Sequence, residues 1–341
     1  MQRAYELARR HRAHPNPRVG AVVVSPDGRV LGEGSHVGPG ERHAEVVALD
    51  QAGDASGSTV YVSLEPCTHQ GLTPPCVERL ISERVARVVI GVLDPDERVS
   101  GTGVQRLRQA GIEVSVLDDP QARLVDEAYF HHRETGMPLV SLKYAMTLDG
   151  SLAAVDGSSH WITSEPARED AHRLRAEHDA IVVGSGTVAA DDPRLDVRVP
   201  GYEGRQPTPV IVAGTGELPS AARVWDRHPL VIATHEISTP TGKLLIVDGD
   251  GRPDPRAASR ALADAGYLSL LVEGGASLAG AWWRSGVVSR GVVYIGGRIG
   301  GGTGLSPLGG IFSSIEDVTD VVIVDTRQLG PDLRVEFEIG H

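Results

Sequence analysis

The sequence is poor in cysteine and in aromatic rings. Only two of its 341 residues are cysteine, and Phe, Trp and Tyr together make up 4%. Two thiols are too few for a disulfide framework in a chain of this length, so a reduced, cytoplasmic setting is expected. No apolar run is long enough to span a bilayer. Met1–His14 reads as a charged amphipathic helix and not as a signal peptide. Basic residues are also in deficit, with 33 Lys and Arg against 45 Asp and Glu, a net charge of −12. That charge repels polyphosphate backbones, which argues against broad nucleic-acid binding. Small phosphorylated substrates remain allowed, because a pocket needs only a few cations or backbone N–H groups. The rest of the composition is globular, at 40% hydrophobic and 23% charged, and the length suits two domains.

The two cysteines fall within one proline-marked loop, Pro66-Cys67-Thr68-His69-Gln70-Gly71-Leu72-Thr73-Pro74-Pro75-Cys76, downstream of His43-Ala44-Glu45. One His and two Cys suit a zinc site with an open fourth position, and a nearby Glu that is not a ligand can move protons. His43, Cys67 and Cys76 are therefore the candidate metal ligands and Glu45 the catalytic acid–base. Cys76 opens a helix, whose N-terminus favours a thiolate. This pattern points to hydrolytic removal of an exocyclic amine from a nucleobase-like ring. The plainer alternative is a pair of buried thiols and a surface histidine. A structural zinc is a third reading, with His69 as fourth ligand, although His69 fits better as a substrate contact. Eight residues separate the cysteines, whereas nucleic-acid and cytidine deaminases usually carry Cys-x-x-Cys.

The first 136 residues alternate strands and helices, predicting an α/β/α sandwich. Helices are expected at Gln2–Arg12, His43–Ala52, Pro75–Glu83 and Gly103–Ala110. Strands are expected at Val19–Ser25, Val30–Ser35, Thr59–Ser63, Arg87–Gly91 and Ile112–Val116. Pro120–His132 reads as one charged connecting helix. Gly136-Met137-Pro138 breaks it, placing the domain boundary between segments 1–136 and 137–341. The second segment is again α/β. Its strands are expected near 139–145, 180–184, 209–213, 230–233, 244–247, 268–273 and 292–295. Helices are expected near 165–178, 256–265 and 277–284, and a terminal pair of strands near 321–339. Gly184-Ser185-Gly186-Thr187 and Glu273-Gly274-Gly275 each end a strand, where glycine lets a phosphate approach backbone N–H groups. Gly184-x-Gly186-x-x-Ala189 also matches a dinucleotide fingerprint, but no acidic residue ends the next strand, at Ala213 and Gly214.

These motifs resemble the bifunctional riboflavin-biosynthesis deaminase–reductase family over almost the whole chain. The deaminase half of that family carries Asn-Pro-x-Val-Gly, His-Ala-Glu and Glu-Pro-Cys-x-His-x-Gly-(Lys/Arg)-Thr-Pro-Pro-Cys. Here these read Asn16–Gly20, His43–Glu45 and Glu65–Cys76. Leu142–Gly150, Ser158–Ser164, Arg173–Arg175, Asp179–Arg198 and Val272–Gly275 match the reductase half in order. The resemblance implies a cytidine-deaminase-like domain with zinc, then a dihydrofolate-reductase-like domain using NADPH. It implies that Asn16 and His69 meet the deaminase substrate. Ser159, Arg175, Leu195, Arg198 and Glu273 would meet the reductase substrate, with Arg175 and Arg198 as phosphate forks and Glu273 on ribose hydroxyls. Ala145, Trp161, Thr187, Asp191, Gly274 and Gly275 would meet the cofactor. A homo-oligomer, dimer or larger, is also implied. Three positions depart from the pattern: Leu72 stands where the family has Lys or Arg, Asp126 where it tends to have Asn, and Ala213 where it often has Asp. Leu72 leaves open an altered deaminase specificity beside an intact reductase.

Overall fold

The computed structural model describes residues 1–96, 99–159, 162–214, 217–310 and 313–340. Two compact units divide the chain, Met1–Met137 and Pro138–His341.

The first unit contains, in order, α1 (Gln2–Ala8), β1 (Gly20–Val24), β2 (Val30–Ser35), α2 (Ala44–Ala52), β3 (Thr59–Leu64), α3 (Cys76–Ser82), β4 (Arg87–Val92), α4 (Thr102–Gln109), β5 (Glu113–Val116), α5 (Pro120–Val125) and α6 (Glu127–Thr135). Its sheet runs β2-β1-β3-β4-β5. β1 is antiparallel to β2 and β3, while β3, β4 and β5 are parallel. Alternation along β1 separates two layers. Val22 packs against Ala4 and Leu7 of α1. The opposite face carries Ala21 and Val23, in register with Gly34 and Gly32 of β2.

Those two glycines let α2 lie directly on the sheet. A Cβ at Gly34 would fall 2.0 Å from the Ala44 carbonyl oxygen, and one at Gly32 would fall 2.1 Å from that of Ala48. The helix answers with its own small residues, the buried Ala44 and Ala48.

Two expected helices differ. α1 stops at Ala8 instead of reaching Arg12, and the Pro120–His132 helix is two helices meeting at Asp126. The reason is shared. Asp126 leaves helical geometry (φ −146°, ψ 59°), and its carboxylate receives the Arg18 N–H and the His14 ring, both at 2.7 Å. These bonds fold residues 14–18 back over the helix junction, so α1 cannot continue.

The second unit contains β6 (Leu139–Thr147), α7 (Glu165–Ala176), β7 (Ala180–Gly184), α8 (Ser185–Asp191), β8 (Thr208–Val212), β9 (Leu230–Ala233), β10 (Lys243–Ile246), α9 (Pro255–Asp264), β11 (Ser269–Val272), α10 (Ala276–Arg284), β12 (Arg290–Gly296), β13 (Val321–Leu329) and β14 (Asp332–Ile339). Short 3₁₀ turns occur at Arg223–Arg227 and Ile315–Asp317. The sheet order is β10-β9-β8-β7-β11-β6-β12-β14-β13, parallel through β12 and antiparallel at β14 and β13. Its central strands read as continuous apolar runs because both faces are covered. Val182, Val210, Leu270 and Trp282 fill one face, and Ile181, Val183, Ile211 and Trp225 the other.

The glycine turn after β7 is the start of α8, a helix absent from those expected from the sequence. Gly184 is extended at the N-cap, and Ser185 Oγ accepts the Gly214 N–H at 3.1 Å. α8 ends at Asp192 (φ 42°), whose carboxylate takes the Arg223 backbone N–H at 2.7 Å and its Nε–H at 2.8 Å. The Asp191-Asp192-Pro193 triplet is thus a helix terminus.

Gly34→Ala should displace α2 by forcing two backbones apart, at a cost of about 2 kcal/mol. The expected result is a lower Tm together with reduced zinc retention by elemental analysis, since α2 carries Glu45 and is capped by His43. Unchanged Tm and zinc content would show that the helix–sheet contact has slack.

Candidate active sites

The first site lies where β3 and α2 converge. His43 is the N-cap of α2 and Glu45 sits in its first turn. Cys67 follows β3, and Cys76 opens α3. The donor atoms of His43, Cys67 and Cys76 all lie within 4.8 Å of one another, the one such cluster among the described residues. His43 Nδ1 is 3.1 Å from Cys76 Sγ and 3.6 Å from Cys67 Sγ. One imidazole nitrogen and two sulfurs at this separation suit a tetrahedral zinc with a fourth position open.

The surroundings support that use. Thr73 Oγ1 lies 3.1 Å from His43 Nε2, the outer nitrogen, and fixes the ring for coordination through Nδ1. The Cys76 N–H points at Cys67 Sγ (3.4 Å). A hydrogen bond from Cys76 holds Cys67 far below an ordinary thiol, while that bond and burial push Cys76 up. Glu45 is 3% exposed, and burial raises its pKa. A carboxyl kept from water beside the ligands is placed to take up and release a proton.

Asn16 is tied to this centre through His36, a residue the sequence reading passed over. The Arg42 carbonyl, 3.2 Å from His36 Nδ1, can only accept, so Nδ1 carries the proton. His36 Nε2 therefore accepts from Asn16 Nδ2 at 3.0 Å. Its ring also meets His43 edge-on, with centroids 5.0 Å apart. The position of His36 at the end of β2, just ahead of the metal-bearing helix, was the available signal. Glu65 was quoted only as part of the motif. Buried, it accepts the backbone N–H groups of Gly101 (2.9 Å) and Val104 (3.1 Å) and so pins α4 beside the Cys67 loop. His69 is exposed on that loop, and Leu72 near its tip is 83% exposed.

The second site is a cavity of about 970 Å³ at the carboxyl ends of the parallel strands, where open α/β sheets bind ligands. It is near the upper end of the usual range for ligand sites, about 300–1,000 Å³. Ala145, Ser159, Arg175, Thr187, Asp191, Leu195, Glu273, Gly274 and Gly275 all line it. Trp161 lies outside the described residues. The Gly275 N–H donates to Thr187 Oγ1 (3.2 Å), joining the two glycine turns. A Cβ on Gly186 would meet nothing within 4 Å, so the β7 turn opens on free space that an extended phosphate-bearing cofactor fits.

Two expected phosphate forks are otherwise engaged. The Arg175 guanidinium closes on Glu273 through two hydrogen bonds of 2.8 Å, and its third nitrogen donates to the Asp196 carbonyl at 3.1 Å. Arg198 is absent from the cavity lining and pairs with Asp196 Oδ1 at 2.6 Å. Each cation has gone to the nearest carboxylate. Burial alone would raise the Glu273 pKa, but Arg175 and Lys143 outweigh it and hold the carboxyl at about 2. Lys143, not picked out from the sequence, has its Nζ 3.8 Å from Glu273. Burial lowers its pKa.

Comparison with known proteins finds a family match for each half of the chain. Residues 1–92 match the family model of the cytidine and deoxycytidylate deaminase zinc-binding region, and residues 138–335 that of the RibD C-terminal domain. The chain is 41% identical to the riboflavin biosynthesis protein RibD of Chlamydia muridarum, covering 99% of this chain and 95% of the relative. It is 39% identical to that of Escherichia coli, with coverage of 98% and 96%. A solved structure of Acinetobacter baumannii RibD superposes with a TM-score of 0.93 at 34% identity, covering 100% of this chain and 98% of that one. A Thermotoga maritima diaminohydroxyphosphoribosylaminopyrimidine deaminase/5-amino-6-(5-phosphoribosylamino)uracil reductase gives 0.91 at 34% identity, covering 100% and 97%.

Fold and sites therefore define a two-domain enzyme, a zinc-dependent deaminase followed by an NADPH-dependent reductase. The chain belongs to the RibD family of riboflavin biosynthesis proteins. Among the described residues no helix is long and apolar enough to cross a membrane.

Removing Arg175 should strand a buried carboxylate. Arg175→Met is expected to cost about 3–5 kcal/mol at pH 7 in chemical denaturation. The sign with pH follows from the depressed Glu273 pKa. The stability from the pair is present above pH 4.5, the ordinary value, and lost as pH falls toward 2. The gap between parent and variant should therefore narrow on acidification from pH 7 to pH 3. A constant gap would assign the loss to packing alone.

Proposed function

We propose that the N-terminal unit hydrolyses the 2-amino group of 2,5-diamino-6-(5-phosphoribosylamino)pyrimidin-4(3H)-one. The C-terminal unit then reduces the ribosyl group of the product to ribityl with NADPH. The observation that carries this reading is the convergence of His43, Cys67 and Cys76 beside the buried Glu45.

His43, Cys67 and Cys76 would hold the zinc, which would supply Lewis-acid activation of a water near neutral pH. Glu45 takes the proton released by the attacking water and passes it to the departing amine. Thr73 keeps the His43 ring oriented. One Asn16 amide N–H is held by His36, which orients the amide so that its oxygen can accept from an N–H on the pyrimidine edge. His69 extends from the metal loop to the substrate. A purely structural centre would draw a fourth protein ligand, and the cluster holds three among the described residues.

In the reductase, bound NADPH would supply the hydride for reduction at C1′ of the ring-opened imine. Ala145, Thr187, Asp191, Gly274 and Gly275 cradle the cofactor, with Trp161 assigned by sequence alone. Ser159 and Leu195 border the sugar phosphate. Glu273, held ionised between Arg175 and Lys143, faces the ribose hydroxyls. Arg175 acts mainly as the partner that fixes Glu273, and Arg198 reaches the phosphate only if it leaves Asp196. Two free thiols and membership of a biosynthetic family support a cytoplasmic setting. Val321, Val322, Ile323 and Val324 on the edge strand β13 are exposed, which suits a homo-oligomer.

A second reading rests on Leu72. An exposed leucine brings neither charge nor donor to a phosphate at the metal loop, so the deaminase would favour another aminopyrimidine. Product mass spectrometry with and without NADPH separates the two. Deaminated product without NADPH, converted to the ribityl compound with it, supports the first reading. Reduction of supplied deaminated compound with no deamination by zinc-loaded protein supports the second, and Leu72→Lys should then restore activity. Glu45→Gln should lower ammonia release roughly 10²–10⁴-fold while sparing NADPH oxidation on the deaminated compound. Joint loss of both activities in folded, zinc-loaded variant would sink the assignment of separate sites.

A further inference from the structure

The reductase cavity carries a cation that no role above absorbs. Arg252 lies in the connection between β10 and α9 and lines the cavity together with Pro253 and Ser277. Its Nη1 donates to Ser277 Oγ at 3.1 Å, in the first turn of α10 beside the Gly274-Gly275 turn. The other cavity cations are committed. Arg175 and Lys143 face Glu273, and Arg168 Nη1 donates to the Thr163 carbonyl at 2.7 Å. Arg252 is exposed and forms no ion pair among the described residues. The nearby Asp254 carboxylate caps α9 by accepting the Ala257 N–H at 2.9 Å.

Position along the sheet tells which part of the cofactor this cation meets. The β6 side of the cavity, with Lys143 and Tyr144 beside Glu273, holds the reacting sugar. The joined glycine turns of β7 and β11 come next and suit the pyrophosphate. Farther along the sheet order the lining includes Ala213, Gly214 and Glu217 after β8, and Arg252 and Pro253 after β10. This end takes the adenosine. Neither Ala213 nor Gly214 has a side-chain donor there, and Glu217 repels an anion. NADPH differs from NADH only by a 2′-phosphate on that adenosine. A guanidinium that is exposed, anchored by one hydroxyl and free of carboxylates suits a phosphate in two-pronged contact.

We propose that Arg252, positioned by Ser277, is the residue that recognises the 2′-phosphate and makes the reductase prefer NADPH to NADH. The inference rests on the reading of the cavity as the cofactor site. Its test measures binding directly. Calorimetry would compare NADP⁺ with NAD⁺, and adenosine 2′,5′-bisphosphate with adenosine 5′-monophosphate, on the zinc-loaded full chain and on Arg252→Gln. Loss of a charge-assisted phosphate contact should weaken NADP⁺ and the bisphosphate roughly 10- to 100-fold. NAD⁺ and the monophosphate should change less than about twofold, and the preference of kcat/KM for NADPH should fall in parallel. Arg252→Lys should recover part of the difference. Equal weakening of both members of each pair would overturn the proposal and assign Arg252 to the pyrophosphate or to loop structure. Unchanged binding of all four would overturn it as well. Failure of the parent itself to bind NADP⁺ would instead remove the cofactor reading of the cavity.

Discussion

The deaminase half depends on how closely one helix lies against one strand. With no Cβ at Gly32 or Gly34, the carbonyls of Ala44 and Ala48 approach β2 to a distance no side chain allows. That contact fixes the first turn of α2, and the first turn is where His43 and Glu45 reside. Cys67 and Cys76 arrive separately, from the end of β3 and the start of α3. A metal site assembled from three backbone segments tolerates little error in any of them, because ligand distances vary by only tenths of an ångström. Packing between small residues therefore acts as the precision element of the catalytic centre. The shell around it serves the same end, with Thr73 holding His43, His36 holding Asn16 and Glu65 pinning the start of α4.

The reductase half is organised by charge. Glu273 sits at the end of β11 with both oxygens taken by Arg175 and with Lys143 beside it. Burying three charged side chains is costly, and a hydrophobic replacement would often be as stable. Their presence in the lining of a large cavity gives it an ionised carboxylate of fixed orientation. The remaining cation, Arg252, stands exposed. The cavity lining thus holds one cluster of charges committed to each other and one exposed guanidinium bonded only to a hydroxyl.

Much of this was legible in the order of residues. Alternation and turn residues located the strands of both sheets to within a residue or two, because apolar runs bounded by Gly, Pro and Asp leave few alternatives. What was misplaced involved long-range partners. Asp126 breaks a helix that propensity favours, because residues about 110 positions earlier claim its carboxylate. α8 was hidden by the two glycines at its start, where local propensity is poor but Ser185 finds Gly214 across the sheet end. Arg175 was read as a phosphate ligand since its nearest carboxylate in space is remote in sequence.

The sequence by itself determined the chemistry available to this protein. Two cysteines at one spacing after His-Ala-Glu name the metal, since few other residue sets bind zinc and leave a position open. Hydrophobic period and glycine turns likewise named two α/β domains and their phosphate-facing ends. Only the tertiary structure decided which side chains are free to use that chemistry. Hydrogen bonds and ion pairs form with whatever lies within about 3 Å, and sequence carries no direct record of that neighbourhood. The fold therefore spends Arg175 on Glu273 and Arg198 on Asp196, brings His36 to Asn16, and leaves Arg252 open to a ligand.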